Sequence, residues 1–209
     1  MWRGVAWCGD CGVLVGPPDF SHGAHPRAEQ QLRIMFGAGN EMALRATSRS
    51  VYTVLRCHVA EHPLCPDDVR AVLAEDPVDR VCWAAVQRMG SPPPAVFGRL
   101  AASENGMVRF ELALSARCPP GVLGLLAGDR LLDVRRAVAG NENTPPEVLV
   151  RLGRERSYQV ANALVSNPNT PGVVLQRLLR FRQPDVRRMA AAHRNLPAAT
   201  RAMWELTQR

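Results

Sequence analysis

Long apolar runs are missing from this chain of 209 residues, whose mean hydropathy is −0.13. None approaches the roughly 18 residues needed to cross a bilayer, and the opening Met1-Trp2-Arg3-Gly4 lacks the basic-then-apolar order of a secretory signal, so a cytoplasmic protein is expected. Aromatic residues are scarce, at 5%. In the C-terminal part Tyr158, Phe181 and Trp204 are too few and too scattered for a base-stacking platform. Lysine is absent: all 26 basic residues are Arg, a bias that coding composition alone can produce. Of six Cys only Cys8 and Cys11 stand close together, which excludes the dense disulfide framework of a small secreted domain and leaves a metal site or scattered core thiols.

Catalytic arrangements are also lacking. No carboxylate pair, Ser/His/Asp set or glycine-rich phosphate loop stands in a context that would support it. Gly4, Gly9 and Gly12 precede no strand–helix unit, and Asp67 and Asp68 read as first-turn helix acids favoured by the helix dipole. Binding without catalysis is the expectation.

What the chain does have is a period. Asn143-Thr144-Pro145 recurs as Asn169-Thr170-Pro171, and Asp133-Val134-Arg135-Arg136 recurs as Asp185-Val186-Arg187-Arg188. Pro93, Pro119, Pro145, Pro171 and Pro197 are each 26 residues apart, with Pro66 lying 27 before Pro93. Val54, Val81, Val108, Val134, Val160 and Val186 give a second register, and single-residue differences in the first two copies are assigned to a loop between Val and Pro. Residues 1–53 are off the grid; about six copies fill residues 54–209.

Each copy carries helix signals. Thr144-Pro145-Pro146-Glu147 reads as an N-cap, a first-position Pro and a capping-box Glu, ahead of Val148, Leu149 and Leu152 on one face. A second helix, with Asp133 or Asp185 as its cap, turns Val134, Ala137 and Val138 inward. No stretch shows sustained strand alternation, so the fold class is all-α. Two short helices cannot bury both stripes alone, so the copies stack as an α-solenoid of about 26-residue helical repeats. In the final copy Thr200 and Arg201 replace Val174 and Leu175, and Trp204 replaces Leu178, as suits a terminal cap.

Segments Val134-Arg135-Arg136-Ala137-Val138-Ala139 and Asn167-Pro168-Asn169-Thr170-Pro171 resemble the leucine-rich repeat variant family, over roughly three quarters of the chain. The resemblance implies a right-handed superhelix of alternating α and 3₁₀ helices behind a cysteine-bearing iron–sulfur module. It implies no established enzymatic activity.

Cys8-Gly9-Asp10-Cys11 has the two-residue gap that lets both thiolates reach one ion, with His22 and His25 following at a similar gap, before a helix expected from Pro26 to about Phe36. Cys8, Cys11, His22 and His25 make a tetrahedral set for zinc, within a small metal-binding cap. A Trp-Arg-Gly-Val start leading to CxxC looks like the family's cluster module, which uses four cysteines where this segment has two. The rival set is Cys8, Cys11, Cys57 and Cys65, suited to a 4Fe-4S cluster. On the grid, however, Cys65 and Cys118 take the Thr144/Thr170 slot, Cys57 an inward column with Ala84 and Ala137, and His62 and His193 the Asn141/Asn167 turn slot.

The basic charge is concentrated at one end: residues 130–209 hold 14 Arg against six acids. Arg109, Arg135 and Arg187 share one column, Arg136 and Arg188 the next, and Arg99, Arg151 and Arg177 a third, with Ala161 and Asn162 breaking the first two. Such columns can meet an acidic protein or phosphates, or pack over the core and pair internally. The leading expectation is a non-enzymatic scaffold with a protein partner. The alternatives are a nucleic-acid-binding solenoid using the Arg columns and an iron–sulfur redox or accessory protein.

Overall fold

The computed structural model describes residues 6–8, 13–15 and 41–207. Two short strands, β1 (Ala6–Cys8) and β2 (Val13–Val15), which the sequence pattern did not signal, pair antiparallel with Cys8 opposite Val13 ahead of the all-α repeat array. Cys8 therefore ends one strand of a hairpin whose connection contains Cys11. The side chain of Cys8, together with Cys11, His22, His25 and the helix expected from Pro26, lies outside the described residues.

From residue 41 to 207 every regular element is an α-helix. These are α1 (Glu41–Thr47), α2 (Thr53–Glu61), α3 (Asp67–Ala74), α4 (Asp79–Arg88), α5 (Pro94–Ala101), α6 (Gly106–Leu114) and α7 (Pro120–Leu126), then α8 (Leu132–Gly140), α9 (Pro146–Leu152), α10 (Tyr158–Ser166), α11 (Gly172–Leu178), α12 (Pro184–Ala192) and α13 (Ala198–Thr207). Among the described residues no 3₁₀ helix alternates with them, contrary to the family expectation. The chain divides into two compact units, Met1–Val96 and Phe97–Arg209, the division falling within α5.

In the first unit α1 packs on α2, and α2 and α3 both pack on α4. In the second, α6, α8, α10 and α12 pack one on the next, and α9 packs on α11. Side-chain spacing explains the arrangement. Val134 and Val138 of α8, Val160 and Leu164 of α10, and Leu149 and Leu175 of the shorter helices are essentially buried, each from a helix too short to bury them alone.

The turn between the two helices of a copy is built from side chains. Asn167 donates through Nδ2 to the Ala139 and Asn141 carbonyls of the preceding copy, at 2.8 and 2.9 Å, and its Oδ1 accepts from the Asn169 N–H at 2.9 Å. Asn141 repeats the pattern on Ala113, Ser115 and Asn143. His193 imitates it, with Nε2 3.0 Å from the Asn167 carbonyl oxygen and Nδ1 accepting from Asn195 N–H. His62 Nδ1 likewise accepts from Leu64 N–H, so both histidines occupy the turn slot expected of them.

Three local expectations change. Thr144 is no N-cap: it is buried and its hydroxyl donates to the Val138 carbonyl at 2.6 Å, as Thr170 does to Leu164, while Pro145 is the residue before α9. Leu131 and Gln183 take the N-cap positions of α8 and α12, leaving Asp133 and Asp185 as first-turn acids. The grid itself shifts by one at its start. Leu55 is fully buried whereas Val54 is only partly so, and Leu55 takes the Val134 column. One irregularity remains, and α4 absorbs it by having 10 residues where α2 and α6 have nine.

Candidate binding surface

The shifted grid puts Arg56 in the column of Arg109, Arg135 and Arg187, a member missed from sequence. In three copies the Arg meets an acid 20 residues on. Arg109 Nε lies 2.6 Å from Asp129, Arg56 Nε 2.7 Å from Asp76 and Arg135 Nε 3.0 Å from Glu155. Each Arg also donates through Nη1 to the carbonyl six residues back, Ser50 for Arg56, Ser103 for Arg109 and Asp129 for Arg135, and Arg187 does so to Phe181. Asp129 thus accepts from Arg109 with its carboxylate and from Arg135 with its backbone oxygen, tying one copy to the next.

Burial favours this pairing, because a desolvated guanidinium without a counter-charge is strongly unfavourable, whereas the half-buried Arg187, with Thr207 at the acid position, bonds the Phe181 and Arg182 carbonyls instead. Copies lacking the Arg lack the acid too. Cys82 and Ala161 stand in the Arg column, and Ser103 and Phe181 take the corresponding acid positions. Burial works to raise the Asp129 pKa, yet its hydrogen bonds from Arg109 and from the Leu131 N–H outweigh that and hold its carboxyl below the ordinary range. Arg109 is held above its usual value by the Asp129 hydrogen bond.

Arg109 is therefore spent inside the second unit, and Arg135 is largely so; neither offers a guanidinium to a partner as the column reading expected. The next columns differ. Arg136 is exposed, with Nε 3.4 Å from Asp133 and its guanidinium carbon 5.8 Å from the centre of the Phe110 ring. Arg177 and Arg188 are exposed, and Arg151 is exposed with one nitrogen on the Gly124 carbonyl at 2.6 Å.

Cys65 and Cys118 are buried in the Thr144/Thr170 slot as expected, their thiols aimed at the Pro66 and Pro119 carbonyls at 3.6 and 3.9 Å. Burial pushes Cys57 up to about 11 and Cys118 to about 12, and raises Cys65. The corrected grid moves Cys57 to the Arg136 column and His58 to the Ala137 column. Among the described residues no three His, Cys, Asp or Glu side chains gather as a metal site, and no helix is long and apolar enough to cross a membrane.

The family described as "Leucine rich repeat variant" matches residues 132–155, which run from α8 through α9 to Glu155. A solved structure described as a leucine-rich repeat variant with a novel repetitive protein structural motif is similar, with a TM-score of 0.58 and 21% identity, over 86% of this chain and 81% of that one. No curated protein matches. The interlocked copies, the matched repeat and the shared architecture lead to one statement: this chain carries the leucine-rich repeat variant repeat and has the fold of a leucine-rich repeat variant protein.

Proposed function

We propose that this chain is a non-enzymatic helical-repeat scaffold that recognises a protein partner through exposed side chains of its second unit. The observation that carries the reading is a division of labour. Inward and turn slots repeat the same hydrogen bonds in copy after copy, whereas the outward positions, with Arg136, Arg151, Arg177 and Arg188 among them, serve no such repeated internal pairing. Exposed Arg beside apolar side chains is the composition that protein interfaces favour.

The test is capture of partners on the full chain, followed by titration of the purified candidate against wild type and Arg136→Glu/Arg188→Glu. A protein whose affinity falls with the variant supports the reading. Binding only to random duplex DNA or RNA, with a steep loss on adding salt, replaces it with the nucleic-acid reading.

In the same proposal the N-terminal hairpin is a structural metal cap. Cys8 ends β1 and Cys11 follows it in the sequence ahead of β2; the two-residue gap of the CxxC pair suits a thiolate-held ion. His22 and His25 would complete a zinc set. Cys57 and Cys65 suit the iron–sulfur alternative less well, because burial favours their neutral thiols over the thiolates a cluster needs. A colourless protein with one zinc per chain, lost in Cys8→Ser, supports the zinc cap. A brown protein with thiolate-to-iron absorption supports the cluster and a redox or accessory role.

A further inference from the structure

A cleft of about 910 Å³ is bounded by the chain after α9, the second half of α11, and α13. Arg154, Arg156, Arg177 and Arg180 stand around it, all exposed and none making a side-chain hydrogen bond to another described residue. Its one acid, Glu155, is already held by Arg135. Between the arginines stand the apolar Phe181, Trp204 and the 70% exposed Met203, with Gln176, Thr200 and Thr207 adding neutral polar groups to the wall.

The cleft coincides with a gap in the internal pairing. Phe181 takes the position of Asp129 and Glu155, and Ala161 that of the Arg that would reach it. Two copies earlier the corresponding surface encloses only about 380 Å³, with Arg109 and Asp129 among its walls. Where the ion pair is lost, an aromatic ring and open volume stand instead, beside guanidinium groups with no partner among the described residues.

We propose that this cleft docks an acidic amphipathic helix of a partner protein, carboxylates on the Arg rim and an apolar side chain against Phe181, Met203 and Trp204. The proposal rests on the reading of the chain as a protein-binding scaffold and names the chemistry of the partner. Guanidinium forks match carboxylates bidentately, and a flexible methionine adapts to an inserted aliphatic side chain. A nucleic-acid strand needs ring faces open in succession, whereas Phe181 and Trp204 are both half-buried. The volume suits several side chains of a helix laid in a groove.

The test titrates the full-length protein with a labelled 20-residue helical peptide carrying Glu around Leu at helical spacing. The same peptide with Leu replaced by Ser, and a 12-nucleotide single-stranded RNA, are run in parallel. Anisotropy gives affinity, and comparison with Trp204→Phe isolates the Trp204 emission. The Leu peptide is expected to bind, to shift the Trp204 emission, and to lose at least about tenfold in affinity in Arg154→Glu/Arg180→Glu and in Met203→Ser, while the charge-matched Arg49→Glu/Arg130→Glu stays within about twofold. Absence of peptide binding, or equal binding of the Ser peptide, overturns the cleft. Loss confined to Arg136→Glu/Arg188→Glu overturns the cleft but spares the protein-binding reading, and binding of RNA alone overturns both.

Discussion

Replacing Arg109 by Met separates the ion pair from the rest of the repeat, because Met keeps the apolar stem and removes the charge. The two side chains are 7% and 6% exposed, and the guanidinium makes hydrogen bonds to both Asp129 oxygens, at 2.6 and 3.1 Å, and to the Ser103 carbonyl at 2.6 Å. Arg109→Met leaves Asp129 desolvated without its counter-charge, a loss of about 3–5 kcal/mol. The Arg135 pair, at 23% and 26% exposed, gives a smaller loss for Arg135→Met, and the Arg56 pair, at 13% and 7%, falls between. The assay is urea unfolding of the full chain followed by circular dichroism. The double variant Arg109→Met/Asp129→Leu recovers much of the loss, since no orphan charge remains. The pH dependence has a defined sign. Asp129 is depressed in the folded protein, so its contribution is present above the unfolded carboxyl value near 4 and disappears as pH falls through the lower folded value. In Arg109→Met the carboxyl rises instead, so the gap from wild type narrows on acidification. A change under about 1 kcal/mol, or a gap independent of pH, would falsify the assignment of this pair as an internal clamp.

Three further outcomes follow from the packing. Asn167→Ala deprives the Ala139 and Asn141 carbonyls of donors and is expected to lower stability by about 2–4 kcal/mol in chemical unfolding, whereas Asn167→His, borrowing the residue of the last copy, retains at least half of that. Cys118 ionises near 12 when folded but near 8.5 when unfolded, so folding binds the proton and stability declines as pH rises above about 9; Cys118→Thr removes its share of that decline, and an unchanged slope counts against the burial argument. Gly153→Ala places a Cβ 2.8 Å from Val174 Cγ1 and 3.3 Å from the Leu149 carbonyl oxygen, and the repacking is expected to cost about 1–2 kcal/mol by thermal or urea unfolding.

The repeat was legible because it is written in residues with little freedom: a Pro that limits the backbone, an Asn or His that closes the turn, and a Leu stripe too narrow to stand alone. Cys65 and Cys118 were placed correctly for the same reason, each filling the volume of a buried threonine. The helix caps were not legible, since Thr144 and Asp133 have the chemistry of caps but the turn recruits one inward and the dipole keeps the other in the first turn. The start of the array slipped because Val54 and Leu55 are adjacent and both apolar. The signal that fixes the register is polar and distant, an Arg with its acid 20 positions on, invisible to a search for hydrophobic period. The cleft was hidden for a different reason: Phe181, Met203 and Trp204 become neighbours only through stacking of separate copies.

Arg201 has one further role. It occupies the column of Leu175, and its Nη2 donates to the His193 carbonyl at 2.7 Å, the oxygen that a following copy's asparagine would otherwise reach. Arg70 does the same to the His62 carbonyl at 2.9 Å, one copy before Met89 stands where an asparagine would donate. A single side chain thus supplies, from within its own copy, the donor that the turn asparagine of the next copy supplies elsewhere in the array. Shortening the array is then an editing problem with a specific solution: a chain terminated after Leu179 loses the His193 ring from the Asn167 carbonyl, and Leu175→Arg supplies the missing donor from within.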